Sequence, residues 1–337
     1  MNSSNSTSTD LTLASDDAPI DPIVVAYAVV GMASILTNIL IFTILVSEKK
    51  LLTQSALVFG FAISHSLLGC NIGISGIVRL VYRAERFTPM TPLECVQMVY
   101  PIAYPMAFQS SALLLCLVGI ERLTAVAFPH WFRKWLANKK MWYLVGIAFS
   151  LVLISSIIGV SITPSLPTTT RQCGQPSVFG TTYTAFGRLA SASGGTVAII
   201  LTMAALVVGT KRIRNLPLLS GEAGKMKRQI QLTKAMLGVA FVDFCLVVLP
   251  NTVSFIAVTT GVSLPSFMGS LQSNVAFCVN AVSAIFSYLI FNSQFRSATK
   301  KLFRIESQSV APVVTIGNDT QHLQRDKGTT WVSKRMA

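Results

Sequence analysis

Seven apolar windows recur along the chain: Ile23–Val46, Ser55–Val81, Cys95–Val126, Met141–Ile162, Gly187–Val208, Thr233–Val258 and Met268–Phe291. Each is long enough to cross about 30 Å of hydrocarbon as a helix of about 20 residues. A bilayer leaves backbone groups without water, so only helices or closed barrels can span it, and runs of this length are helical. The fifth window is the weakest, because Gly194-Gly195 lowers its helix propensity. Residues 1–22 are rich in Ser, Thr and Asp and contain no Lys or Arg, and the segment from 305 to 337 is polar. The pattern therefore predicts an all-α membrane protein with a seven-transmembrane helix bundle over residues 23–304. A disordered extracellular tail (1–22) and a disordered cytoplasmic tail (305–337) flank it.

Composition agrees. Only 12% of the 337 residues are charged, 52% are hydrophobic and mean hydropathy is +0.60, too greasy to coat a soluble domain of this size. The net charge of +14 could suggest nucleic acid, but the basic residues cluster between the apolar windows and form no continuous face. Placing the N-terminus outside puts two basic residues in the first inner loop, five in Arg122–Lys140, seven in Lys211–Lys234 and eight from Arg296 onward. That is 22 of 27 inside, leaving Arg79, Arg83, Arg86, Arg171 and Arg188 outside. The N-terminal segment lacks the basic region and cleavage site of a signal peptide, so the first helix is expected to act as its own anchor. A multi-pass plasma-membrane protein follows. Sequons at Asn2 and Asn5 fall on the outer tail and are expected to be glycosylated, whereas Asn318 would face the cytoplasm and stay bare.

Several function classes lose their parts list. Six cysteines form no CxxC pair and three histidines lie far apart, so no metal-ligand spacing exists and no cofactor is implied. HExxH, GxSxG and facing acid pairs are missing, which argues against an enzyme. A retinal protein would need a Schiff-base lysine, and none occurs between Lys234 and Lys300. The odd helix count and lack of inverted repeats count against a secondary transporter, although a channel or transporter remains the alternative.

One stretch, "LLCLVGIERLTAVAFPHWF" from Leu114 to Phe132, sets Glu121 and Arg122 side by side in an apolar run. On these residues alone the pair is either a membrane-edge anchor or a switch, since a cation at that depth must snorkel or find a partner. "GIERLTAVAFPHWF" resembles the end of the third helix in rhodopsin-like G-protein-coupled receptors, with Leu123 in place of the usual aromatic and Pro129 as the loop proline. Other positions match along residues 23–304: Asn38 in "ILTNILIFTIL", Phe244 and Pro250 in "FCLVVLP", Tyr288 in "FSYLIFNSQFR", and Phe295-Arg296 opening a short amphipathic eighth helix. Departures are His65 at the second-helix aspartate, Val248 at the sixth-helix tryptophan, and Ala284-Ile285 for the seventh-helix Asn-Pro. This eroded pattern is most similar to the nematode serpentine chemoreceptors, the Srsx-like group. The resemblance implies a heterotrimeric G protein, a small-molecule ligand and arrestin-like regulators as partners, besides the lipid bilayer. It implies too that Glu121 restrains Arg122 at rest, with Tyr288 in the same switch.

The resemblance further implies a disulfide between Cys95 and Cys173, both on the oxidising side, against two free thiols as the alternative. Cys70, Cys116, Cys245 and Cys278 read as small packing residues. Asn38, His65, Asp243 and Asn280 form an expected polar core. His65 and Asp243 share a depth and either interact, directly or through water, or Asp243 bonds Asn280 or a helix backbone while His65 stays neutral with Asn38. An acid that often anchors the third-helix arginine from the sixth helix is replaced by Ile230, so a loose resting state is expected. Pocket candidates are Tyr100, Tyr104, Phe108, Gln109, Arg188, Asn251, Phe255, Gln272 and Asn274, each also explicable as helix packing. No acid lies in the outer half of any helix, so the ligand is expected to be uncharged or anionic.

Overall fold

The computed structural model describes residues 22–84, 91–98, 100–135, 139–163, 173, 175–215, 221–260, 262 and 270–303. The tails at 1–21 and 304–337, with Asn2, Asn5 and Asn318, lie outside the described residues, as do the side chains of Tyr100 and Gln272. All described elements are helical. Six helices are long and apolar enough to cross a membrane, and the bent pair Asn274–Ile290 and Ser293–Leu302 supplies a seventh. The chain is a seven-helix membrane bundle.

The first helix is Pro22–Ser47, the second Ala56–Ala84, the third Tyr100–Ala127, the fourth Lys139–Ser161 and the fifth Gln175–Arg214. The sixth runs over residues 221–260, the seventh is Ser270–Phe291, and the eighth is Ser293–Leu302. Large apolar side chains such as Leu36, Ile147, Ile200 and Phe286 are exposed on the bundle's outside, where lipid covers them, whereas Ser34, Asn38, Ser64, Thr202 and Asn280 are buried within. This polar-inside arrangement is expected when the solvent is hydrocarbon.

Close packing depends on small residues. The first and second helices meet where Gly31 lies on the backbone of Gly73: a Cβ on Gly31 would stand 2.4 Å from the Gly73 nitrogen. In the fifth helix, Gly194-Gly195 does not break the run; Gly194 lies against Ala112 of the third helix and Gly195 against Val248 of the sixth. Tertiary approach outweighs the propensity deficit of about 1 kcal/mol each. That helix is longer than the apolar window suggests, starting at Gln175 and bending at Gly180, whose φ of 80° an L side chain rarely adopts.

The third window divides. A short helix, Pro92–Gln97, is capped by Thr91, whose hydroxyl accepts from the Glu94 amide while the Glu94 carboxylate accepts from the Thr91 amide. The long helix starts only at Tyr100. Pro101 has no N–H to return to the Gln97 carbonyl, and it falls in the first turn of the long helix, where that donor is not needed. The sixth helix widens into a π-turn at Phe244–Val248, just before Pro250 removes another N–H, and Asn251 and Thr252 return side-chain bonds to the Val247 and Val248 carbonyls. The seventh helix continues unbroken to Phe291, in keeping with Ala284-Ile285 where a proline could have kinked it. Asn292 then caps the eighth helix by accepting from the Gln294 and Phe295 amides, and Phe295 and Ala298 turn inward.

Candidate functional site

At the inner end of the third helix, as the charge bias orients it, Arg122 Nη2 donates to Glu121 Oε1 at 2.5 Å. Both side chains are mostly buried, at 12% and 15% exposure. Adjacent residues on a helix point about 100° apart, so both side chains must curl along the helix surface to meet. Arg122 Nε is buried without a hydrogen-bond partner, so the guanidinium is held from one edge only.

No described side chain of the sixth helix pairs an acid with it. Ile230 is buried and packs with Val126 and Met226 in an apolar cluster at this end. Gly209 of the fifth helix lets the three helices converge: a Cβ there would stand 3.1 Å from both Ile230 and Val126 side chains. A contact that sequence reasoning missed lies beside it. Arg212 of the fifth helix donates from Nη1 to the Val126 and Ala127 carbonyls, at 3.2 and 3.1 Å. A cation on the orphan carbonyls at a helix C-terminus also complements the helix dipole. The sequence marks Arg212 only as one more inner basic residue, because its partners lie 85 and 86 positions away. Tyr288 belongs to a separate neighbourhood: it is buried against Phe295, 5.7 Å between ring centroids, in a cluster with the first and second helices.

Midway through the bundle lies a cavity of about 20 Å³, bounded by His65, Ser111, Asp243 and Asn280 among others. That is room for one water molecule. Asp243 Oδ1 accepts from Asn280 Nδ2 at 2.8 Å. His65 Nε2 lies 3.5 Å from Ser111 Oγ, and its Nδ1 is buried without a partner. No hydrogen bond joins His65 directly to Asp243; they face the same small space. Asn38 is turned elsewhere, donating to the Ser34 carbonyl, and it is Ser34 that bonds the His65 backbone.

Towards the outer end, the pocket candidates separate into groups. Tyr104 donates to Asn274 Oδ1 at 3.2 Å, Asn274 donates to the Tyr27 hydroxyl at 3.1 Å, and Tyr104 stacks on Phe108. Gln109 faces the other way, donating to the Tyr183 hydroxyl, which itself donates to the Ser155 carbonyl. Arg188 donates to the Ser254 carbonyl of the sixth helix, and Asn251 is occupied by its own helix. Phe255 is half-buried on the sixth helix. Tyr27 and Tyr183 escaped the sequence reading because an aromatic near a helix end looks like any packing residue.

The Cys95–Cys173 disulfide is formed, with a Cα separation of 5.4 Å, and ties the short helix before the third span to the segment before the fifth. The short helix carrying Cys95 ends at Met98, before the third span begins at Tyr100. Of the four remaining cysteines, Cys278 is buried and Cys70 and Cys116 half-buried, as packing residues should be, but Cys245 is exposed on the bundle's outside.

In comparison with known proteins, the family model for the serpentine type 7TM GPCR chemoreceptor Srsx matches residues 28–303. No curated protein matches the chain.

Proposed function

Because the chain belongs to the Srsx family of serpentine seven-transmembrane chemoreceptors, we propose that it couples a small uncharged or anionic molecule outside the cell to a heterotrimeric G protein inside. The family is one of receptors and not of enzymes, and its members are multi-pass membrane proteins. The plasma membrane is the compartment where such coupling is useful, and arrestin-like regulators would act on the same inner face.

The observation that carries this function is the Glu121–Arg122 pair, mostly buried at the inner end of the third helix and held from one edge only. A pure membrane anchor needs a cation facing headgroups; this one faces its own helix and keeps an unpaired donor in reserve. Release of Arg122 from Glu121 would present a cation between the third, fifth and sixth helices, where a G-protein segment can bind. His65, Asp243 and Asn280 would connect the two ends through the mid-bundle cavity. Ligand-induced GTP exchange on a co-expressed G protein tests the proposal. A current that persists without any G protein would instead support a channel.

A further inference from the structure

Among the described side chains, two arginines stand in the outer half of the bundle, Arg79 on the second helix and Arg188 on the fifth. Their surroundings differ. Arg188 has a partner in the Ser254 carbonyl, 3.3 Å away. Arg79 places its guanidinium 5.5 Å from the centroid of the Tyr27 ring, which occupies one flat face of the cation. Its edge is unused: Nε is buried without a hydrogen-bond partner. Neither ion pair among the described residues involves Arg79. The described acid on this side, Glu94, is turned to its own helix cap at Thr91. A cation held among helices without a counter-charge marks a functional site in a membrane bundle.

What surrounds Arg79 is suited to an anion. The Tyr27 ring beneath it belongs to the Tyr104–Asn274–Tyr27 hydrogen-bonded chain. Arg79 thus stands over one member of this polar chain, while Arg188 is engaged by the Ser254 carbonyl. Tyr104 and Asn274 are only half-buried, and each keeps hydrogen-bonding capacity beyond the bonds it makes, a lone pair on the hydroxyl and a second amide N–H.

We propose that Arg79 is an anion contact at the outer end of the bundle, and that the ligand presents a carboxylate, or an oxyanion of similar shape, to the edge of its guanidinium. A guanidinium stacked on a ring has its fork pre-oriented for two parallel hydrogen bonds to such a group, which a lysine cannot reproduce. Tyr104 and Asn274 bond the polar remainder. The proposal narrows the receptor's ligand to the anionic class and rests on the receptor function only for the ligand's location. The same oxyanion chemistry could be supplied by a lipid headgroup.

The test uses the full chain in phosphatidylcholine nanodiscs without a G protein, and reads the thermal unfolding midpoint. Benzoate, hexanoate and succinate are titrated beside benzamide and hexanamide, and a parallel arm replaces part of the lipid with phosphatidylglycerol. At least one carboxylate should raise the midpoint while its amide does not. Arg79→Gln should weaken its apparent affinity by roughly thirtyfold or more, and Arg79→Lys by about tenfold. Arg214→Gln, an equal loss of charge at the inner end, should leave the affinity unchanged. If Arg79→Gln does not fold, Arg79→Lys decides alone. An Arg79-dependent rise with phosphatidylglycerol only would support the oxyanion contact and make lipid its source. No shift with any carboxylate or lipid, equal shifts with amides, or unchanged affinity in both Arg79 variants overturns the proposal. Since binding is read without a G protein, absence of GTP exchange would leave this result standing. GTP exchange evoked by neutral compounds in Arg79→Gln would overturn the anion contact and keep the receptor.

Discussion

Glu121 and Arg122 hold each other because little else holds Arg122: its Nε has no partner, and the sixth-helix position that could carry an acid is Ile230. Glu121→Gln should therefore raise ligand-free GTP exchange by roughly fivefold or more, within the range of ordinary allosteric coupling. Arg122→Ala should lower coupling by about thirtyfold or more, since it removes the charged contact itself. If neither substitution alters exchange at equal surface expression, the pair is only an anchor. The mid-bundle cavity makes a second prediction at this scale. Asp243 is bonded to Asn280 and His65 approaches Ser111, so any coupling between His65 and Asp243 must run through the small space they share. A double-mutant cycle of His65→Ala and Asp243→Ala on basal signalling should show an interaction of about 0.5 kcal/mol or more. Additive effects would mean the two groups are independent.

Among elements, the inner ends of the third, fifth and sixth helices are clasped by Arg212 on the Val126 and Ala127 carbonyls and by the Val126–Ile230–Met226 cluster. Among the described residues no inter-helical ion pair joins these three ends, and this clasp stands in its place. Arg212→Ala removes two charge-assisted bonds, about 1 kcal/mol after allowance for partial exposure. It should raise ligand-free exchange by a few-fold, measurable beside Glu121→Gln; no rise would leave Arg212 as a cap of the third helix alone. At the outer side, the Thr91 amide and hydroxyl hold the Glu94 carboxyl below its ordinary range near 4.5. A depressed folded-state pKa gives stability that is full above the unfolded value and is lost as pH falls through the folded one. The helix Pro92–Gln97 should accordingly exchange its amide hydrogens faster as pH drops below about 4.5, relative to the intrinsic rate, and Glu94→Gln should flatten that trend. Elements also show what the pattern of apolar residues cannot carry. The seven windows were legible because each must satisfy its backbone in lipid, but the break at Met98, the bend at Gly180 and the start of the fifth helix at Gln175 depend on single residues inside or beside apolar runs. The suspected weakness at Gly194-Gly195 vanished because Ala112 and Val248 fill the space that the glycines leave.

For the whole molecule, the family match and the bundle agree over residues 28–303, and the sequence already pointed to both through Arg122, Asn38, Pro250 and Tyr288. The site was less legible. The local pair Glu121–Arg122 is adjacent in sequence and could be read directly, whereas Arg212 and Arg79 act on groups 85 and 52 positions away, which no local spacing reveals. The Tyr104–Asn274–Tyr27 chain spans three helices for the same reason. The central claim is that this bundle passes a signal through Arg122 to a G protein. It is tested most directly by measuring nucleotide exchange on a purified heterotrimeric G protein beside the full chain in nanodiscs, as wild type, Glu121→Gln and Arg122→Ala. The account predicts exchange above the receptor-free rate for wild type, more for Glu121→Gln, and none above background for Arg122→Ala. Equal exchange in all three, or background exchange in all three across a panel of G proteins, would contradict it.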